Sequence, residues 1–436
     1  MEWQFILLLI VGILVLLMSS GLPIAFCFLA VNVLGVYLFW GGQVGIEQLA
    51  ISIHASLATF ILLPLPLFIL MGELIAESGF ADDMLDAVDQ WLGRLPGRLS
   101  FVSVAGGVLI ASLTGTNIAS ISLLGDVLLP EMKKRGYKNI MSLGPILGSS
   151  CLAMMIPPSA PAVILGAVGE ISVGKILMAI IIPGLLMAAI YTVYILTRCI
   201  LQPSLAPSYD APHIRLSQKL LNTTRHILPV GVIIFLVVGV IFLGIAGPSE
   251  AAASGAFGTL IVCAARGTLN YEKIVKVVRN TLRITVMMFM IMAGSKAFSQ
   301  ILAYTGASVG LIEFLTSVNI SPVITLITMQ IILLILGCLM DAVSIMMITL
   351  PIFMPIVREL GFDPVWFAVI FLINVDVGGL TPPFGLSLFT LKGVAPENSM
   401  QDIIRAAVPF IFLDLLAMAF IIVFPSIALW LPSVMR

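Results

Sequence analysis

Long apolar runs alternate along this chain with short polar or proline-containing interruptions. A transmembrane α-helix needs about 20 consecutive apolar residues, and many of these runs approach that length. Their residues are apolar continuously rather than alternately, which excludes a transmembrane β-barrel. The pattern therefore predicts an all-α polytopic membrane protein with full spans at 4–20, 22–40, 57–77, 175–198, 227–245, 248–266, 284–303 and 404–430.

Two further apolar runs are interrupted by paired prolines, in "LAMMIPPSAPAVIL" (152–165) and in "VDVGGLTPPFGLSL" (375–388). Proline lacks an amide donor and clashes with the preceding helical turn, so each pair ends one helix and allows another to begin. We expect broken spans at 140–170 and 364–392. A helix broken within hydrocarbon frees backbone polar groups that protein, water or a bound ion must satisfy.

The interval between the two proline pairs is 225 residues, and it recurs elsewhere in the chain. The same interval joins Pro130 to Pro355, Gly136 to Gly361 and Pro23 to Pro248. This recurrence predicts an internal duplication, with a first repeat at 1–200, a polar linker at 201–226 and a second repeat at 227–436. Five full crossings in each repeat would give the repeats opposite orientations, with both chain ends outside the cytoplasm.

Lys and Arg clusters predict which loops face the cytoplasm. Basic residues around Arg94 and Arg98, and again at 133–138, flank the apolar stretch 99–130, which polar residues interrupt at 114–117. The stretch is too long for one span and too short for two, so we expect a re-entrant hairpin. Its counterpart at 322–357, with a tip near 337–344 and few basic residues beside it, should enter from the opposite face.

Amphipathic segments border these elements. Residues 81–93 and 307–318 are expected to form arms in the membrane interface, and the basic segment 271–284 a further interfacial helix. Glu73 and Lys296 lie in corresponding spans and either pair with each other, face another subunit or extend toward an interface.

The composition agrees with a membrane protein: of 436 residues, 60% are hydrophobic and 10% charged. The first segment lacks the basic start of a secretory signal, so we interpret it as a retained span. Five scattered cysteines and three histidines suggest no metal site or disulfide, and no catalytic set is apparent, so neither an enzyme nor a cofactor is expected. The expected partners include membrane lipids and no nucleic acid.

The two hairpin tips and the two helix breaks should meet at the bilayer midplane and form a site. Freed carbonyls and hydroxyls suit a small alkali cation, and helix N-termini suit an anion such as a carboxylate. Asp341 and Asp376 are costly at membrane depth, but Thr116 and Cys151 hold the matching positions in the first repeat, which disfavours a symmetric proton relay. The predicted Na⁺ ligands are Ser103, Gly115, Asn117, Ser149, Pro157, Gly337, Asp341, Asp376, Gly378 and Thr381. The predicted substrate contacts are Thr116, Ser150, Ser159, Asn374 and Pro382.

Several motifs resemble the large membrane subunit, of the DctM type, of tripartite ATP-independent periplasmic (TRAP) transporters. They are "GTNIAS" (115–120), "LLPEMKKRGY" (128–137), "IPPSAPAVILG" (156–166), "LPIFMPIVRELGFDPVWFAVI" (350–370) and "GGLTPPFGLSLF" (378–389). The resemblance implies a sodium-driven importer of the bacterial inner membrane with an elevator-type, ion transporter superfamily-like fold. It also implies a periplasmic substrate-binding protein and a separate small four-helix membrane subunit. The resemblance is strongest to the sialic acid (N-acetylneuraminate) members, and C4-dicarboxylates remain an alternative cargo.

Three alternatives follow from the same residues. An autonomous sodium- or proton-coupled carboxylate carrier without a binding protein would share the inverted repeats. An intramembrane hydrolase would need a metalloprotease motif, paired catalytic aspartates or a Ser/His pair, none of which is present; Tyr209-Asp210 lies in the linker. A channel is disfavoured by hairpins that enter from both faces.

Overall fold

The computed structural model describes residues 3–93, 95–207, 215–317 and 321–435, and all regular structure in them is helical. Arg94 and the Tyr209-Asp210 pair, both used in the sequence argument, lie outside the described residues. The predicted all-α class is confirmed.

The first half contains eleven helices in the described residues. They are α1 Trp3–Ser19, α2 Ile24–Phe39, α3 Gln43–Leu57, α4 Pro64–Ser78, α5 Phe80–Asp89, α6 Arg98–Thr114, α7 Asn117–Lys134, α8 Asn139–Met155, α9 Ala160–Gly169, α10 Val173–Ala179 and α11 Ile181–Leu201. Short 3₁₀ turns lie at Phe60–Leu62 and Pro203–Leu205.

The second half starts with a helix inside the predicted linker. Its helices are α12 Leu216–His226, α13 Leu228–Ile234, α14 Val240–Phe242, α15 Pro248–Ala265, α16 Tyr271–Tyr304, α17 Ala307–Ser317, α18 Pro322–Gly337, α19 Ala342–Glu359, α20 Pro364–Leu380, α21 Leu386–Val394, α22 Met400–Val423 and α23 Ser426–Ser433. A π-helical segment, Phe235–Gly239, joins α13 to α14.

Helix bounds recur in the two halves at the interval of the proline pairs. α7 and α19 each contain 18 residues, and both bounds differ by 225. α8 and α20 each contain 17 residues, again with both bounds 225 apart. The hairpin's second helix and the first segment of the broken helix therefore occupy matching places in each half.

Four elements differ from the sequence prediction. The predicted span 404–430 is divided into α22, which ends at Val423, and the short α23, with Pro425 between them. α3 was not predicted, because Gln43, Glu47 and His54 make its segment too polar to register as a span. The segment 271–284, predicted as a separate interfacial helix, is the first part of the 34-residue α16, because no proline or glycine interrupts it before the span. The linker is partly helical: α12 packs on α5, and Trp91 and Gln90, just after α5, form hydrogen bonds with Thr223 and Asn222.

Six helices of the described chain are long and apolar enough to cross a membrane, or seven when α8 and α9 count as one span bent by 43°. Five further apolar helices have 16 or 17 residues: α1, α2, α6, α18 and α20. The chain is therefore a multi-pass membrane protein.

The two halves exchange contacts in a reciprocal way at the centre. α7 of the first hairpin packs on α21, and α19 of the second hairpin packs on α9. α8 and α20 pack on each other, and almost every residue in both is buried. Such reciprocity is typical of a pseudo-two-fold arrangement. The opposite orientation of the repeats across the bilayer stays a prediction.

Candidate functional site

The tip of the first hairpin lies against the first helix break. Gly115 adopts a left-handed conformation with φ +60°, and a Cβ added there would lie 2.8 Å from the Pro158 carbonyl oxygen. Pro157 and Pro158 are joined by a cis bond, and Ser159 caps α9 by accepting a hydrogen bond from Ala162 N at 3.3 Å. The structure thus brings together Gly115, Pro157 and Ser159, as predicted from the sequence. Thr116 joins Gly115 and Pro158 in the wall of a cavity of about 80 Å³.

The second hairpin meets the second broken helix through two glycines. A Cβ on Gly378 would lie 2.5 Å from Gly337 Cα, so the α18 and α20 backbones are in direct contact. Thr381 ends α20 and donates from Oγ1 to Val377 O at 2.6 Å, and the Pro382–Pro383 bond that follows is cis. Gly337, Gly378, Thr381 and Pro382 therefore lie around one break.

A buried hydrogen bond joins the first hairpin to the second broken helix. Asn117 Nδ2, in the first turn of α7, donates to Asp376 Oδ1 of α20 at 2.5 Å. The other oxygens of the pair, Asn117 Oδ1 and Asp376 Oδ2, are buried and have no hydrogen-bond partner. Leaving such acceptors unsatisfied costs free energy, and both can ligate a cation. These two oxygens are therefore candidate cation ligands, one from each half of the chain.

Asn374 lies on the opposite side of α20 and connects it to the second hairpin. Its Nδ2 donates to the backbone oxygen of Gln330 at 2.9 Å and to Gln330 Oε1 at 2.7 Å. Residues two apart on a helix project about 200° apart, so Asn374 and Asp376 contact different neighbours. Gln330 was missed by the sequence argument, since it stands within an apolar helix and away from the predicted tip.

A second buried carboxylate was also missed. Asp414 of α22 is 0% exposed and accepts a hydrogen bond from the Tyr191 hydroxyl of α11. The thiol of Cys151, which matches Asp376 across the repeats, lies beside the same carboxylate. An ionisable residue inside a predicted span was the signal that could have revealed it.

Other predicted site residues engage their own helices. The hydroxyls of Ser103, Ser149 and Ser150 donate to the backbone oxygens of Leu99, Pro145 and Leu147, respectively. Ser103 precedes Gly115 by 12 residues on α6, which places it about 18 Å from the hairpin tip along the helix axis. The structure therefore does not bring Ser103 to the tip.

Asp341 serves as the N-cap of α19. Its carboxylate accepts from the backbone nitrogens of Val343 at 3.0 Å and Ser344 at 3.2 Å, and also from the Ser344 hydroxyl. Thr116 holds the matching position before α7, without a side-chain capping bond. Unlike Asp376, Asp341 already has donors for both of its oxygens.

Of the three alternatives for Glu73 and Lys296, the structure excludes that they pair with each other. Glu73 Oε2 accepts from Asn280 Nδ2 at 2.9 Å, while Lys296 Nζ bonds Glu170 Oε1 at 2.5 Å. The Glu73 contact involves the first part of α16, whereas the Lys296 contact joins the later part of α16 to the end of α9.

Paired helix breaks, each met by a hairpin and linked by a buried carboxylate, are the architecture of a secondary membrane transporter. The fold is similar to that of a solved structure, the Alcanivorax borkumensis YdaH transporter, with a TM-score of 0.63 and 16% identity, covering 88% of this chain and 90% of that one. The family model described as the DctM component of the tripartite ATP-independent periplasmic transporter matches residues 11–427. The chain belongs to this family, whose members are transporter components of the bacterial inner membrane and not enzymes.

Curated relatives extend over nearly the whole chain. A C4-dicarboxylate TRAP transporter large permease from Pseudomonas aeruginosa is 29% identical over 391 residues, covering 89% of this chain and 90% of that protein. An ectoine TRAP transporter large permease from Halomonas elongata is 27% identical over 416 residues, with 95% and 96% covered. A 2,3-diketo-L-gulonate TRAP transporter large permease from Escherichia coli is 27% identical over 406 residues, with 90% and 91% covered.

Proposed function

We propose that this permease imports an organic acid together with Na⁺. A periplasmic binding protein delivers the acid, and a small four-helix membrane subunit completes the transporter. The observation that carries the sodium proposal is the pair of buried, unpartnered oxygens on Asn117 and Asp376, one from each half of the chain. The three relatives described above carry carboxylic acids of different size in their names, whereas a further relative is named for isethionate, a sulfonate. We infer an acidic cargo and propose a carboxylate, either N-acetylneuraminate or a C4-dicarboxylate.

The side chains of Asn117 and Asp376 are better suited to bind sodium than to relay a proton. A relay needs a chain of titratable groups, but Asn117 cannot titrate, and the counterpart of Asp376 is Cys151. A neutral amide oxygen and a carboxylate oxygen can bind Na⁺ together, and no proton has to be transferred between them.

Coupling follows from the position of the pair. A cation held between α7 and α20 stabilises the first hairpin against the second broken helix, and so orders both tips. The ordered α9 and α21 N-termini then provide amide donors and a positive dipole end for the carboxylate. The hairpins and broken helices move as one body past a scaffold formed by the outer spans, in an elevator-type cycle.

Uptake into proteoliposomes that contain the permease and the small subunit, with the binding protein added outside, tests this function. We expect accumulation of N-acetylneuraminate or succinate when the sodium gradient is directed inward and no accumulation with potassium in its place. Accumulation driven by a proton gradient alone would contradict sodium coupling. Equal uptake without the binding protein would establish an autonomous carrier instead.

Asn117→Ala should weaken the dependence of uptake on sodium. The change removes one proposed ligand and the donor to Asp376, so we expect the sodium concentration for half-maximal uptake to rise about tenfold. Asn139→Ala, at the first residue of α8 and away from the breaks, is the control. An unchanged sodium dependence in Asn117→Ala would remove this residue from the site.

A further inference from the structure

A second cavity, with a mixed polar and apolar lining, lies apart from the helix breaks, between α3, α9 and α16. Its volume is about 560 Å³, which can hold a small organic acid, and its polar lining includes Ser52, Ser56, Glu170, Lys296 and Gln300. Among the described residues that line it, Lys296 is the sole cation and Glu170 the sole anion. Their ion pair, 2.5 Å from Nζ to Oε1, lies at the cavity wall.

Lys296 and Gln300 are one turn apart on α16 and line the cavity from the same face. Gln300 Oε1 accepts a hydrogen bond from Ser52 of α3 at 2.5 Å, which fixes this wall. The side of the cavity that carries Lys296 is therefore formed by α16 and α3, and neither helix is part of a hairpin or a broken span.

Glu170 comes from the end of a broken helix and is held in an unusual conformation. Its φ of 56° makes it the one non-glycine residue with a positive φ in the described chain. It ends α9 at a place where glycine is the usual residue. Arg358 Nη2 of α19 also donates to the preceding Gly169 backbone oxygen at 2.9 Å. Residues other than glycine are uncommon in this conformation, and such positions cluster at functional sites.

The ion pair separates two cavities. A smaller one of about 90 Å³ shares Glu170 and Lys296 with the larger and is lined further by Ser295, Ser299 and Arg358. A shift of the Glu170 side chain would therefore join the two spaces and leave the Lys296 ammonium directed at whatever occupies the larger one.

The ion pair between Lys296 and Glu170 can also be broken at small cost. The Glu170 side chain is 63% exposed and that of Lys296 is 30% exposed, so water already competes for both partners. Partly exposed ion pairs contribute little net stability, and another carboxylate replaces Glu170 at small cost.

We propose that Lys296 is an entry site for the carboxylate of the cargo, and that Glu170 occupies it until the cargo arrives. The site would bind organic acids before they reach the helix breaks, and displacement of Glu170 would free the end of α9 from α16. This inference rests on the proposed function, since it assigns an additional binding step to the same cargo.

The test compares Lys296→Gln and Glu170→Gln in the proteoliposome assay, with whichever of succinate or N-acetylneuraminate the wild-type complex takes up. Lys296→Gln should raise the KM for the loaded binding protein about tenfold or more, because a charge-assisted contact with the carboxylate is lost. Glu170→Gln removes the competitor and should lower KM or leave it unchanged. The sodium dependence of uptake should stay at the wild-type value in both variants.

Lys276 of α16 and Glu77 of α4 provide a matched control, since they form another Lys–Glu pair, also 2.5 Å long. Lys276→Gln should leave KM unchanged. A purely structural role for the Lys296–Glu170 pair predicts the same loss from either substitution, and that result, or a wild-type KM in Lys296→Gln, would overturn the proposal. Absence of uptake by the wild-type complex would instead refute the proposed function.

Discussion

Gly378→Ala should abolish most uptake and lower the thermal stability of the permease, whereas Gly379→Ala, one residue further along α20, should change neither to a comparable extent. A Cβ on Gly378 would lie 2.5 Å from Gly337 Cα and 2.9 Å from Gly337 C, and these backbone atoms cannot move aside without displacing α18. A Cβ on Gly379 would lie 3.4 Å from Ser387 Oγ, the end of a small side chain.

The expected loss of stability in Gly378→Ala is the opposite of what helix propensity alone predicts. Alanine in place of a helical glycine normally stabilises a helix by up to about 1 kcal/mol, so Gly379→Ala should be neutral or slightly stabilising. Overpacking a close contact costs about 1–3 kcal/mol or more, which exceeds that gain at Gly378. Separation of α18 from α20 would also misplace the second hairpin tip.

Thermal unfolding of the purified permease in detergent and uptake at saturating sodium measure the two consequences. Gly337→Ala is the reciprocal change, because its Cβ would lie 2.7 Å from Gly378 Cα, and it should behave like Gly378→Ala. A wild-type melting temperature for both variants would show that the two helices are not in contact at these glycines.

The sequence predicts much of this fold because proline and glycine mark where helices end. The paired prolines locate both helix breaks, and the interval of 225 residues relates α8 to α20, whose bounds the structure reproduces at that spacing. α3 was missed for the opposite reason: it is helical, but its polar residues resemble those of a loop. Apolar continuity detects spans, and it does not detect a short helix of mixed polarity.

The contacts across the site could not be predicted in the same way. Asn117 and Asp376 are 259 residues apart, and the repeat pairs neither with the other. Asp414 has Ala189 at the matching position of the first half, so a search for recurring polar residues passes over it. Repeats in sequence indicate which elements correspond. Which side chains meet depends on how the two halves pack.

The packing also distinguishes two aspartates that the sequence treats alike. Asp341 has donors for both oxygens within its own helix turn, which is sufficient reason for an acidic residue there. Asp376 has one donor, a second oxygen with no partner and no exposure to solvent. A buried charge left partly unsatisfied destabilises a protein, so its presence is explained best by a ligand that supplies the missing charge.

Asp376→Asn should therefore remove the response of the permease to sodium. In the wild type, sodium binding to the folded state should raise the melting temperature as NaCl replaces KCl at constant ionic strength. The substitution removes the negative charge but keeps the side-chain shape, so we expect this sodium-dependent increase to vanish. The sodium concentration for half-maximal uptake should rise at least about tenfold. In potassium alone the variant should be as stable as the wild type or more so, since a buried charge has been removed.

Asp341→Asn is the matched control, because it removes the same charge at the other hairpin tip while asparagine remains a good N-cap. It should retain the sodium-dependent rise in melting temperature and shift the half-maximal sodium concentration by less than about twofold, a change well below the loss of a charged ligand. A larger effect from Asp341→Asn than from Asp376→Asn would place the cation at the second hairpin tip, away from Asn117. Because both variants lose one negative charge, a difference in sodium dependence between them cannot come from net charge.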